Sequence, residues 1–294
     1  MTGDSPSPQI PQTMHSRVLV IQHEDDCPLG ELAGALHRSS ASARVVRAHE
    51  GEEVPTDLAG ADALVVLGGG MGPRDDAEHP WLEPTRTLLR RAAAEDVPTL
   101  AICLGAELAV DALGGATGRA AHPEVGLCSI TLTAAGCDDA LLGALRASDT
   151  AGAASPDNTE RAESPESAPP KSVRNAAGSV PAHAAETVPA VPVLQWHQDT
   201  LAQMPPGVTV LATGPDGAVQ AFRVGASFWA VQFHPEVQPG IVHRWAQTSS
   251  LTPKGRTPGS FAREIEDAQA VRSAWARLLD AFAQRIVPSL QNGE

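Results

Sequence analysis

Residues 99–110 read TLAICLGAELAV. The first four have the length and apolar character of a buried strand, and residues 104–113 carry a helical periodicity that stops at Gly114 and Gly115. A strand running straight into a helix is the repeating unit of an α/β fold, and Cys103 stands where one becomes the other. Gly105, two residues on, supplies a backbone without Cβ where a sharp turn needs it. A thiol at a helix N-terminus feels the positive end of the dipole, so a lowered pKa is expected for Cys103. A buried free cysteine acting as a small apolar side chain is the bland alternative.

Working outward, residues 17–22 (RVLVIQ), 44–48 and 63–67 read as strands, and residues 29–37 and 81–95 as helices, the latter with apolar positions at Leu82, Leu88 and Leu89. Alternation of strand and helix predicts a mostly parallel central sheet with helices on both faces. After Gly115 the pattern changes to short runs, LCSITLT, VTVLATG, VQAFRV and FWAVQF, separated by turns such as GPDG. These predict added antiparallel strands. The last run leads into His234, Pro235 and Glu236. A histidine leaving the carboxyl end of a buried strand points into the crevice where open α/β sheets keep their sites. Glu236 is then placed to accept from the imidazole and hold its tautomer, the third role of a nucleophile–base–orienter set.

The strings ICLGAEL, GGGMG, QWHQDT and QFHPEV resemble the class I, triad-type glutamine amidotransferases, particularly stand-alone proteins similar to the amidotransferase domain of GMP synthase. The resemblance spans residues 17–248 apart from one inserted stretch, and implies a flavodoxin-like class I amidotransferase fold. By position it implies Cys103 as nucleophile, His234 as base and Glu236 as its orienter. Residues 67–72, with Gly69 and Gly70, match the family's oxyanion loop, assisted by the backbone N–H of Leu104. The segment QWHQDT borders the glutamine site in the family, making His197 and Asp199 substrate-pocket candidates; a local turn with Asp199 capping a following helix is the alternative. Two positions depart from the pattern. Ala101 replaces a common Gly, and Glu107 replaces a common Gln that helps bind the substrate. A carboxylate has no amide donors to offer. Glu107 either meets the pocket, disfavouring the α-carboxylate of free glutamine and favouring a substrate with a positive group, or turns aside to pair with an arginine.

A formal charge of −14, with no basic stripe, argues against nucleic acid or an anionic membrane as partner. No apolar run reaches membrane-spanning length, and the first residues lack the pattern of a signal peptide, so a cytoplasmic enzyme is expected. The cysteines, Cys27, Cys103, Cys128 and Cys137, show no framework or C-x-x-C spacing, and the histidines no metal spacing. No disulfide, metal or cofactor is expected. GGGMG has neither the Rossmann spacing nor a Lys-Ser/Thr ending that would make it a nucleotide cradle.

Residues 17–146 and 191–248 are expected to form one domain. Residues 147–190, almost entirely Ala, Ser, Pro, Glu, Thr and Asn, are expected to be a flexible low-complexity insertion, inert or partner-binding. Residues 1–16 are expected to be a disordered tail, and 249–294 a linker followed by one amphipathic helix over 261–287. That helix packs on the parent domain or docks on another subunit. Three functions follow from the resemblance: a glutaminase passing ammonia to a separate synthetase subunit, a self-sufficient γ-glutamyl hydrolase, and a regulatory or binding protein that has kept the fold.

Overall fold

The computed structural model describes residues 16–146, 190–252 and 256–286. The expected tail and insertion, apart from Ser16 and Ala190, lie outside the described residues. In chain order the elements are β1 (Arg17–Gln22), α1 (Glu31–Arg38), β2 (Ser42–Arg47), β3 (Ala63–Val66), α2 (Leu82–Ala94), β4 (Thr99–Ile102), α3 (Leu104–Ala112), β5 (Ala116–Leu132) and α4 (Ala134–Asp138). There follow β6 (Ala190–Gln203), β7 (Thr209–Thr213), β8 (Val219–Val224), β9 (Phe228–Val231), α5 (Pro239–Thr248), α6 (Pro258–Asp267) and α7 (Gln269–Ile286).

The strands form one sheet in the order β2-β1-β3-β4-β9-β8-β7-β5-β6. From β2 to β9 every neighbouring pair is parallel, and from β9 to β6 every pair is antiparallel. The expected architecture, parallel strands with an antiparallel addition, is the one observed. The central strands β3, β4 and β9 are buried throughout, which is why they read as unbroken apolar runs rather than alternating ones. Successive residues feed opposite faces. Val18, Val20, Leu100, Ile102, Trp229 and Val231 join one core, and Leu19, Ile21, Ala101, Phe228 and Ala230 the other. The first core is covered by α1, α5, α6 and α7, the second by α2 and α3.

Three sequence expectations are corrected. Residues 261–287 do not form one helix: α6 ends at Asp267 and α7 starts at Gln269. The apolar positions explain the break, because Ile265 and Val271 are six apart and fall out of helical phase, whereas Trp275, Leu278, Leu279, Phe282 and Ile286 continue at threes and fours. Both helices bury their apolar faces in the first core. Residues 116–126, not read as strand, begin the long β5, which pairs antiparallel with β6 through two register shifts. They are mostly half-buried or exposed, so they lack the apolar signature of a strand. Asp199 caps no helix, since β6 runs extended to Gln203. No helix among the described residues is long and apolar enough to cross a membrane.

Phe282 on α7 is fully buried, whereas the Arg38–Asp280 pair joining α1 to the same helix is half exposed. Phe282→Ala is expected to cost about 3–5 kcal/mol and to lower Tm by roughly 10 °C in a domain of this size. Arg38→Ala is expected to cost less than about 1 kcal/mol. Calorimetric melting of both variants checks this, and equal small shifts would mean that α7 does not belong to the core.

Candidate active site

The parallel strands β1, β3, β4 and β9 all end at one edge of the sheet, and their extensions build a cavity of about 670 Å³. Cys103 is held there by two backbone bonds. Its N–H donates to the Val231 carbonyl at 2.8 Å, prolonging the ladder to β9, and its carbonyl accepts from Glu107 N at 3.0 Å, opening α3. Between these its φ is 51°, in the left-handed region that costs a non-glycine residue about 1–2 kcal/mol. The turn is tight because the first turn of α3 crosses the end of β3. A Cβ on Gly105 would collide with the Val66 carbonyl oxygen.

His234 leaves β9 after Phe233, and its N–H donates to Leu194 of β6 at 2.9 Å. Its Nδ1 lies 2.8 Å from Glu236 Oε1, and both side chains are buried. Donation of the Nδ1 proton to the carboxylate leaves Nε2 as the basic nitrogen. The Glu236 backbone is fixed in turn, its carbonyl accepting from Glu31 N at the start of α1 at 2.8 Å. Trp245 of α5 packs edge-on against the imidazole, with ring centroids 4.7 Å apart. Gly68 lies against both His234 and Cys103: an atom at its Cβ position would lie 3.0 Å from His234 Cε1 and 3.6 Å from Cys103 Cβ. Cys103, His234, Gly69 and Gly70 all line the cavity, and the Leu104 N–H is directed at the Cys103 sulfur.

The expected depression of the Cys103 pKa is overturned. Burial first, then the Glu107 and Glu236 carboxylates, push the thiol well above its ordinary range, and the Leu104 N–H opposes them without prevailing. The helix terminus acts on a sulfur that water hardly reaches and that carboxylates surround, so desolvation decides the charge state.

Glu107 does not turn aside to an arginine. It is 3 % exposed, lines the cavity and accepts from Gln232 Nε2 at 2.8 Å. Burial raises its pKa to about 7, with Asp199 and Asp111 adding to the rise and Gln232 and His197 opposing it. His197 and Asp199 also reach the cavity. The His197 ring is fully engaged, however, with Nδ1 2.8 Å from the Asp199 carbonyl oxygen and Nε2 3.0 Å from Gln195 Oε1 and 3.3 Å from Glu124 Oε2. It therefore braces β5 against β6 at the cavity wall.

The sequence reading missed part of this wall. Glu24, Cys27, Arg119, Trp196 and Trp245 line it, as do Thr248 and residues 249–251, the latter expected to begin a linker. They come from loops and strand edges with no local signature beyond the tryptophans, whose apolar rings sit in a chain otherwise poor in aromatics. Away from the cavity, Asp25, His49 and Glu50 bring three ligand atoms within 4.8 Å of one another, but His49 bonds Asp25 and Glu50 pairs with Arg47.

Residues 30–244 match the sequence model of the family described as glutamine amidotransferase class-I. The chain is 36 % identical over 93 residues to the glutamine amidotransferase-like protein YfeJ of Salmonella typhimurium, a match spanning 31 % of this chain and 39 % of that one. Its fold is similar to that of a glutamine amidotransferase from Thermotoga maritima, with a TM-score of 0.68 at 21 % identity over 92 % of this chain and 98 % of that one. It is also similar to that of a glutamine amidotransferase from Methylobacillus flagellatus, with a TM-score of 0.70 at 19 % identity over 95 % and 98 % of the two chains.

The raised Glu107 pKa fixes a sign. The folded protein holds this proton up to about pH 7, whereas the unfolded chain releases it in the ordinary carboxylate range. The unfolded state binds fewer protons between those limits, so stability is full at low pH and falls as pH rises to 7. The loss is on the order of 3 kcal/mol. Glu107→Gln is expected to melt higher than the parent at pH 8, by several degrees, and to show little gain at pH 4.5. A Tm difference independent of pH would mean that Glu107 is ionised throughout.

Proposed function

We propose, for a chain that belongs to the class-I glutamine amidotransferase family, that it hydrolyses the side-chain amide of glutamine or a related γ-glutamyl compound through a thioester on Cys103. The observation that carries this reading is the His234–Glu236 bond beside Cys103 at the head of a single cavity. The raised thiol pKa means that the nucleophile rests protonated. Its proton passes to His234 Nε2 as the sulfur attacks the amide carbon, while Glu236 stabilises the imidazolium through Nδ1. The backbone N–H groups of Gly69 and Leu104, with Gly70 shaping the loop, receive the developing oxyanion. The C–N bond then breaks, and ammonia or amine leaves with the proton from His234. A water molecule gives a proton to the same nitrogen, attacks the thioester and releases glutamate, restoring the thiol. A reducing cytoplasm keeps such a thiol available.

The test is release of glutamate by the isolated protein from glutamine and from γ-glutamyl amides. Cys103→Ala is expected to abolish it. His234→Ala is expected to lower kcat by about 10³-fold, and Glu236→Gln by less, because Glu236 orients without transferring a proton. A γ-glutamyl electrophile is expected to label Cys103 in intact-mass mapping. Label on Cys27, or turnover surviving Cys103→Ala, rules the mechanism out; turnover appearing only when a copurified protein is added points to a synthetase subunit.

A further inference from the structure

The wall of the cavity carries more negative than positive side chains. Glu24, Asp26, Asp75, Glu107 and Asp199 line it against Arg74 and Arg119. Both guanidinium groups are already engaged, Arg74 with Asp111 at 3.1 and 3.2 Å and Arg119 with Gln198 Oε1 at 2.7 Å. Asp26 pairs with Arg244, and Asp75 accepts from Gly72 N. Glu24 accepts from the neutral Cys27 thiol. Glu107 is the most deeply buried of the five, and the one hydrogen-bond partner of its carboxylate among the described residues is the neutral amide of Gln232.

Two tryptophans share the cavity, Trp196 and Trp245, with ring centroids 5.8 Å apart. Trp196 is nine-tenths buried, and its Nε1 has no partner among the described residues. Carboxylates combined with aromatic faces attract a cation twice over, by charge and by the ring quadrupole. A glutamyl group alone does not meet this demand, since its α-ammonium travels with an α-carboxylate. A second ammonium on the departing amine does.

Resting on the hydrolytic reading above, we propose that the substrate is a γ-glutamyl amide of a diamine, and that Glu107 determines this specificity by receiving the positive charge of the amine. The chemistry is unchanged: the thioester bond to Cys103 forms, the C–N bond breaks, the diamine leaves with the proton from His234, and water releases glutamate.

Selection is separable from turnover by measuring binding in a protein that cannot react. Calorimetry on Cys103→Ala compares γ-glutamyl-1,4-diaminobutane with γ-glutamyl-pentylamine, its uncharged isostere. The diamine conjugate is expected to bind about tenfold or more tightly, and Glu107→Gln added to Cys103→Ala is expected to remove most of that ratio while near-UV circular dichroism stays unchanged. In the reactive protein, Glu107→Gln is expected to shift kcat/KM toward glutamine and the pentylamine conjugate. Equal binding of the two conjugates, a ratio insensitive to Glu107→Gln, or no binding of the diamine conjugate at about 1 mM overturns the proposal. A ratio that Glu107→Gln leaves intact while all ligands weaken together assigns Glu107 to the α-ammonium instead. Failure of the reactive protein to release glutamate from any of the three compounds overturns the hydrolytic reading, and the binding ratio still decides the selection.

Discussion

At the corner between β4 and α3 there is room for a backbone and none for a side chain. Gly105 passes so close to the Val66 carbonyl that the helix can begin only if that residue has no Cβ, and Cys103, two residues earlier, takes a positive φ at the same turn. The rest of the site is registered on that corner. The Cys103 N–H caps the ladder to β9, which fixes how far β9 runs before releasing His234, and the loop after β3, Gly68 to Gly70, lies against both. Strain of about 1–2 kcal/mol at one residue is held in place by a sheet whose central strands are buried on both faces.

That corner was readable because its signs in the chain are local: an apolar run, a thiol, a glycine two residues later and a helical period. The parallel strands were readable for the same reason, since burial on both faces leaves unbroken apolar runs. Legibility failed wherever the determinant was long-range. The first part of β5 is held by its partner β6 more than by its own side chains, so residues such as Arg119 and Glu124 gave no sign of a strand. The separation of α6 from α7 was written in the six-residue step from Ile265 to Val271, and was lost by treating the apolar positions as one series.

The charge state of Cys103 was illegible for a deeper reason. A helix terminus can be read from sequence, but burial and the approach of Glu236 depend on how separate elements converge, and together with Glu107, one turn along the same helix, they win. The same convergence keeps His197 from acting as a free ring, because acceptors from β5 and β6 hold both its nitrogens. A candidate residue in a pocket is thus recognised by what it still has to offer after its neighbours are satisfied. On that measure Glu107 combines deep burial with a single neutral partner at its carboxylate.

Phe261 of α6 meets Trp196 at 5.2 Å, Trp196 meets Trp245 at 5.8 Å, and Trp245 meets the His234 ring at 4.7 Å. Three of the four rings thus relay to the imidazole the position of a helix lying beyond residue 244, where the family match ends. Trp245 and the turn at 249–251 lie beyond that limit too, and they line the cavity. The matched stretch carries Cys103, His234 and Glu236, and part of the cavity wall comes from residues that follow it. A shift in the packing of α6 would therefore reach the imidazole through ring contacts alone, with Cys103, His234 and Glu236 unaltered.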